Sequence, residues 1–261
     1  MASDTSADYF QWVMLFHGMK RSGNHAIVPW IAAHFDSALV LYNNGIQFSP
    51  SSTRRQKRSE HWIHGVKMEG QPDGPIRRDA LILTYEDETT LTTGSLSRAP
   101  SKSVIGDYDF IDLFGVIRDP YNMMASRMSA YDLFPNRPPM WTDRNTIEKW
   151  KVHARQAVEK SHRWVIYNLW VSDPEYRRRF EKANGWPVAD GDMSAVSDYG
   201  HGSSFTGTSK PITAEEANTR YLKLAEKHRH LPDLLLKDRE VQELSKTLFG
   251  WYLGNDSNRI G

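Results

Sequence analysis

The 261-residue chain has no cysteine at all. That excludes a disulfide scaffold, thiol catalysis, and cysteine-ligated zinc or iron–sulfur centres. Long apolar runs are also missing. No window approaches the ~18 consecutive apolar residues of a spanning helix, so no transmembrane segment is expected. The opening residues, MASDTSADYFQWVML, lack a basic stretch followed by an apolar core, and the expectation is a soluble, cytoplasmic protein. Charge of one sign is absent too, since 33 basic and 32 acidic side chains leave a net +1. A general nucleic-acid coat is therefore not expected, and any anion site must be a local feature. Repeats and linkers are lacking, which favours one α/β domain over residues 1–261. Apolar residues at 39% and aromatics at 11% suffice for a packed core.

Four strands stand out. Trp12–Phe16 (WVMLF) is a continuous apolar run suited to a strand covered on both faces. Ala38–Tyr42, Ala80–Tyr85 and Phe110–Ile117 follow, with Trp164–Tyr167 as a short fifth candidate. Residues 46–78 are polar and basic, with a cluster from Arg54 to Arg58, and read as a surface insertion. A helix is expected from Ser22–Asn24 to about His34, with Pro29 as a local conflict. Asp119-Pro120 supplies an N-cap and first residue for a helix to about Tyr131. Asn145 and Glu148 have capping-box spacing, with Ile147, Trp150, Ala154 and Val158 on one face of the next helix. Asp173-Pro174 and Thr213-x-x-Glu216 open two more, the latter with Ala217, Tyr221, Leu224 and His228 on one side. Strands alternating with helices imply a parallel sheet with right-handed crossovers, flanked by helices and helix-rich towards the C-terminus. Ligands then bind at the carboxyl ends of the strands.

The stretch FHGMKRSGNHAI follows the first strand and spans G-x-x-x-x-G from Gly18 to Gly23. Strand, glycine turn and helix start is the setting of a phosphate loop. The amides from about Lys20 to His25 are expected to converge on an anion at the positive helix end, with Gly18 and Gly23 allowing close approach. Asn24 and His25 stand where a Lys and a Mg²⁺-binding hydroxyl would follow, which argues against ATP or GTP hydrolysis. Lys20 sits inside the loop instead. The same stretch also reads as an ordinary strand–helix turn with a surface lysine. In the second element, VIRDPYNMMASR, Arg118 ends a strand and Ser126 lies eight positions on. Such a pair can grip one phosphate jointly, or the arginine can simply meet a nearby carboxylate.

Together these two motifs resemble those of sulfotransferases that use 3′-phosphoadenosine 5′-phosphosulfate (PAPS). MKRSGNHAI is similar to the family's 5′-phosphosulfate loop, with the Asn-His of some bacterial members, and Arg-(seven residues)-Ser to its 3′-phosphate motif. The late segment DYGHGSSFTG looks like the part that closes over the nucleotide. The resemblance implies a three-layer P-loop-like fold and places Lys20, Arg21, Ser22, Gly23, Asn24 and His25 at the 5′ side. It places Arg118 and Ser126 at the 3′-phosphate, Ser203 and Ser204 as further phosphate contacts, and Phe205 on the nucleoside. It also implies sulfuryl transfer without a metal, to a hydroxyl or amine of a small-molecule, lipid or carbohydrate acceptor. Lys20 would stabilise the leaving phosphate. Glu86, the first carboxylate past ALILTY, is the expected general base, with Asp87 second and His64 third. His17 reads as structural. Two other functions remain compatible with the loop: a small-molecule or nucleotide kinase with an altered phosphate loop, and a non-catalytic nucleotide-binding protein.

Overall fold

The computed structural model describes residues 8–41, 61–63, 66–68, 77–87, 89, 102–133, 144–187, 213–223 and 235–250. Its strands are β1 (Tyr9–Gly18), β2 (Ala38–Leu41), β3 (His61–Ile63), β4 (Val66–Met68), β5 (Arg77–Glu86), β6 (Asp107–Ile117) and β7 (Trp164–Ile166). The helices are α1 (Asn24–Ala32), α2 (Lys102–Ile105), α3 (Pro120–Leu133), α4 (Arg144–Glu159), α5 (Tyr167–Ser172), α6 (Pro174–Ala183), α7 (Ala214–Asn218) and α8 (Arg239–Phe249). A single sheet runs β4-β3-β2-β5-β1-β6-β7. The five strands β2-β5-β1-β6-β7 are parallel, and β3 and β4 add an antiparallel hairpin at one edge. That hairpin lies within residues 46–78, read from sequence as a surface insertion, and its strands of three residues each are too short for their alternation to announce them.

Strand β1 is central because it is the most apolar, buried without a break from Val13 to Met19. Its alternate residues feed two layers. Met14 and Phe16 join Val40, Ile82, Phe114 and Val116 under α1, α5 and α6. Val13 and Leu15 face the other way, with Leu39, Leu81, Leu83 and Ile105. On that second side Ile117 and Trp164 pack beneath α3, α4 and α8. At about 1.5–3 kcal/mol per fully buried large apolar side chain, these layers outweigh the penalty of any one buried polar group in the site.

Local signals set most boundaries. The Asp119 side chain accepts the Asn122 N–H at 2.8 Å and starts α3. Asp173 caps α6, which continues from Pro174. Thr213 and Glu216 form the expected capping box. Three expectations fail in detail. Helix α4 begins at Arg144, so Asn145 is inside it, and its inner face closes with buried Ala157 while Val158 is 43% exposed. Helix α7 stops at Asn218 and continues as a 3-10 turn, Arg220–Lys223. Leu224 and His228 lie outside the described residues.

An aromatic box at the end of α1 contains a buried histidine. His34 stacks on Trp186 at 5.1 Å and meets Trp30 edge-on at 5.3 Å. Its Nδ1 lies 2.8 Å from the Pro187 carbonyl oxygen, and Nε2 lies 3.6 Å from Glu181 Oε1. Burial holds His34 below the usual histidine range, although the Pro187 contact acts in the other direction. The unfolded chain therefore binds a proton that the folded chain refuses. Stability is full above the unfolded value of about 6.5 and falls as pH drops below it, by at most about 1.4 kcal/mol per pH unit for this group. Melting curves of His34→Gln between about pH 7 and 5 should show a shallower pH dependence than the parent chain. An unchanged slope would refute the assignment.

Candidate functional site

The turn after β1 occupies little space and tolerates none added. A Cβ on Gly18 would lie 2.0 Å from Asn24 Oδ1 and 2.8 Å from Val116 Cγ1. Gly23 caps α1 at φ +101, and a Cβ there would lie 2.2 Å from the Tyr167 ring. The glycines thus admit neighbouring side chains, a requirement different from the close ligand approach expected of them. Between them Arg21 adopts φ 69, a left-handed conformation that costs about 1–2 kcal/mol outside glycine.

The amides divide into two groups. Lys20 N–H donates to Asp87 Oδ1 at 2.9 Å and Ser22 N–H to the Met19 carbonyl at 3.0 Å. These two do not face an anion, which corrects the expectation of a cradle running continuously from Lys20 to His25. The N–H groups of Gly23 and Asn24 have no protein acceptor among the described residues, and α1 has no side-chain cap. Ser22 Oγ is fully buried there, also without a hydrogen-bond partner among the described residues. An anion at this helix end would satisfy such donors. The Lys20 side chain is exposed and Arg21 is half-buried.

The end of β5 lies beside the loop, with Glu86 paired in register to Gly18. Glu86 Oε1 accepts from Asn24 Nδ2 at 2.7 Å, and His25 Nε2 is 3.9 Å from the same oxygen. Asn24 Nδ2 also donates to the Met19 carbonyl at 3.2 Å, so this side chain fastens the carboxylate to the loop. Burial lowers the His25 pKa, opposed by Glu86 and reinforced by Arg21, which leaves the ring neutral near pH 7. Asp87 is differently employed. Burial would raise its pKa, but the Arg127 charge and hydrogen bond and the Lys20 amide together hold it below the usual range. The carboxylate of Asp87, the second choice for the base after Glu86, thus braces the loop through the Lys20 amide and Arg127.

The second basic pocket is built at the end of β6. Arg118 is 1% exposed, and Trp150 Nε1 donates to its carbonyl at 2.9 Å. Its Nη1 donates to the Arg21 carbonyl at 3.3 Å, its Nη2 to the Ala217 carbonyl, and its guanidinium lies 5.0 Å from the Tyr167 ring centroid. Nε has no partner among the described residues. The carboxylate next to it, Asp119, is occupied by Asn122 and by Asn168 Nδ2 at 2.7 Å. Asn168 Nδ2 also reaches Asn218 Oδ1 at 2.8 Å, and Asn122 Nδ2 the Asn218 carbonyl at 2.9 Å, which docks the segment after Thr213 against α3 and α5.

That docking delivers a residue the sequence did not single out. Arg220 Nη1 donates to Ser126 Oγ at 3.0 Å, and both side chains are buried. The Arg220 pKa is pushed down to about 10, first by burial and then by the positive charges of Arg118 and Arg21, against Tyr167 and Glu216. Like charges gathered away from solvent are relieved by a negatively charged partner. Arg220 thus links the two expected residues: it donates to Ser126 Oγ and feels the charge of Arg118. The one available signal was the Thr213 capping box, which locates the helix but not the 3-10 turn that directs Arg220 inwards. Ser203, Ser204, Phe205 and His64 lie outside the described residues. Neither a protein-family model nor a curated protein sequence matches the chain.

Proposed function

We propose that the chain is a PAPS-dependent sulfotransferase of P-loop-like fold. The observation that carries this reading is that one guanidinium touches both basic pockets. The charge of Arg118 acts on Arg220, which donates to Ser126 Oγ, and Arg118 Nη1 reaches the Arg21 carbonyl of the glycine loop at 3.3 Å. A ligand bearing two phosphate-like groups a nucleoside apart fits that arrangement, whereas a linear triphosphate needs neither Arg220 nor Ser126. The orphaned Ser22 Oγ and the Gly23 and Asn24 amides suit the 5′ group. The buried Arg118–Arg220 pair suits a 3′-phosphate dianion.

When bound, PAPS supplies the sulfuryl group, which passes to the acceptor oxygen or nitrogen as its bond to the 5′-phosphate oxygen breaks. The chain's own part is electrostatic and acid–base. Lys20 meets the charge that develops on the departing phosphate. Glu86, aimed by Asn24, accepts the proton of the acceptor hydroxyl or amine. His25 lies against that carboxylate as a neutral ring. The acceptor class follows from the resemblance alone: a small molecule, a lipid or a carbohydrate.

Calorimetric titration separates this reading from a kinase. Adenosine 3′,5′-bisphosphate should bind more tightly than ATP with Mg²⁺. Preference for Mg-ATP would overturn the proposal in favour of a modified phosphate-loop kinase.

A further inference from the structure

The backbone of Lys20 is held from both sides by two side chains that the two pockets do not themselves require. Arg127, on α3 and 1% exposed, donates through Nε to the Lys20 carbonyl at 3.1 Å. Its Nη2 donates to Asp87 Oδ1, and that same oxygen accepts the Lys20 N–H at 2.9 Å. Asp87 is itself fixed, since its N–H donates to the Gly18 carbonyl at 3.0 Å from φ 57. The result is a closed ring of hydrogen bonds around one residue whose side chain faces solvent. A pair of a buried arginine and a half-buried aspartate would ordinarily be read as a structural contact. Here the remaining members of the ring are the N–H and C=O of a loop residue, and the next residue, Arg21, is in the left-handed region. Such a conformation persists only where its surroundings over-determine it.

We propose that Arg127 and Asp87 are positioning residues for the anion loop. They fix the Lys20 peptide groups, and so hold Arg21 left-handed and the Gly23 and Asn24 amides facing outward before any ligand arrives. Arg127 also follows Ser126 directly, so one turn of α3 presents a side chain to each pocket. The inference rests on reading the Gly18–Gly23 turn as an anion site. It goes further by assigning the preorganisation of that site to a pair outside it.

The test uses the full chain and two probes that engage different pockets, adenosine 5′-phosphate and adenosine 3′-phosphate. Arg127→Met should weaken the 5′-phosphate by about ten- to a hundredfold, the range for a lost hydrogen bond to a charged group, and change the 3′-phosphate by no more than about twofold. Arg127→Lys should not restore the loss, because an ammonium cannot reproduce two diverging N–H bonds from one planar group. Asp87→Asn retains an acceptor oxygen for both donors and should give a smaller, equally selective loss. Should Arg127→Met fail to fold, Asp87→Asn carries the test. Hydrogen exchange at the Lys20 amide should quicken in every variant. Equal losses for both probes, or unchanged 5′-phosphate binding in the folded variants whatever their exchange rates, would overturn the positioning role alone. A parent chain that binds the 3′-phosphate but not the 5′-phosphate would overturn the anion-loop reading, and this inference with it.

Discussion

Glu86→Gln is expected to reduce turnover by about 10²–10⁴-fold, the usual contribution of a positioned general base, while adenosine 3′,5′-bisphosphate binds as before. The substitution is close to isosteric, and glutamine keeps the oxygen that accepts from Asn24 Nδ2 at 2.7 Å. What it removes is the capacity to take a proton. Release of adenosine 3′,5′-bisphosphate from PAPS can be followed across a panel of hydroxyl acceptors, with water as the baseline. Binding is measured separately by calorimetry. The neighbouring His25 offers the internal comparison, since burial keeps it neutral and 3.9 Å from the carboxylate. A Glu86→Gln chain within about tenfold of the parent, alongside an inactive His25→Gln chain, would transfer the base to the histidine.

The other large effect is expected at Arg118. Its replacement by alanine should weaken adenosine 3′,5′-bisphosphate by about 30- to 1,000-fold, as for truncating one partner of a buried charge pair. Adenosine 5′-phosphate should lose far less. Part of the loss comes from the protein itself, because Arg118 also holds the Arg21 and Ala217 carbonyls. Arg220→Met removes a hydrogen bond to Ser126 Oγ, a group the 3′-phosphate would itself engage. Both variants should show the same selectivity for ligands with a 3′-phosphate. Equal weakening of bisphosphate and 5′-phosphate would show that this pocket does not read the 3′ position.

Much of this architecture is legible where one residue type has one conformational consequence. The run from Val13 to Phe16 had to be buried on both faces, and Asp119-Pro120 and Asp173-Pro174 had to open helices. The Gly18–Gly23 spacing placed the turn correctly. Its internal hydrogen bonding was not legible, because whether Lys20 N–H faces a ligand or Asp87 depends on a carboxylate 67 residues away. Arg127 and Arg220 escaped for a related reason. Each is one basic residue in a polar helix or turn, and its role comes from the partner across the fold, Asp87 or Ser126. The pairing of Asp87 with Arg127 was not legible, because a carboxylate after a strand looks the same whether it faces acceptor or arginine. That the Asn24 side chain ties Glu86 to the Met19 carbonyl was not legible either, since both partners come from the fold around it.

The central place of β1 has a consequence for how the chain acquires its structure. Both neighbours of β1 come much later in the sequence, from strands that begin at Arg77 and Asp107. The most apolar strand is therefore made before either partner, and it acquires its second neighbour only after more than a third of the 261 residues have followed it. Pairings of such long sequence separation fold slowly, and unpaired apolar strands associate with one another in the meantime. Refolding yield should then fall with protein concentration, and a nascent chain ending before Ile117 should engage chaperones that a chain carrying all of β6 releases.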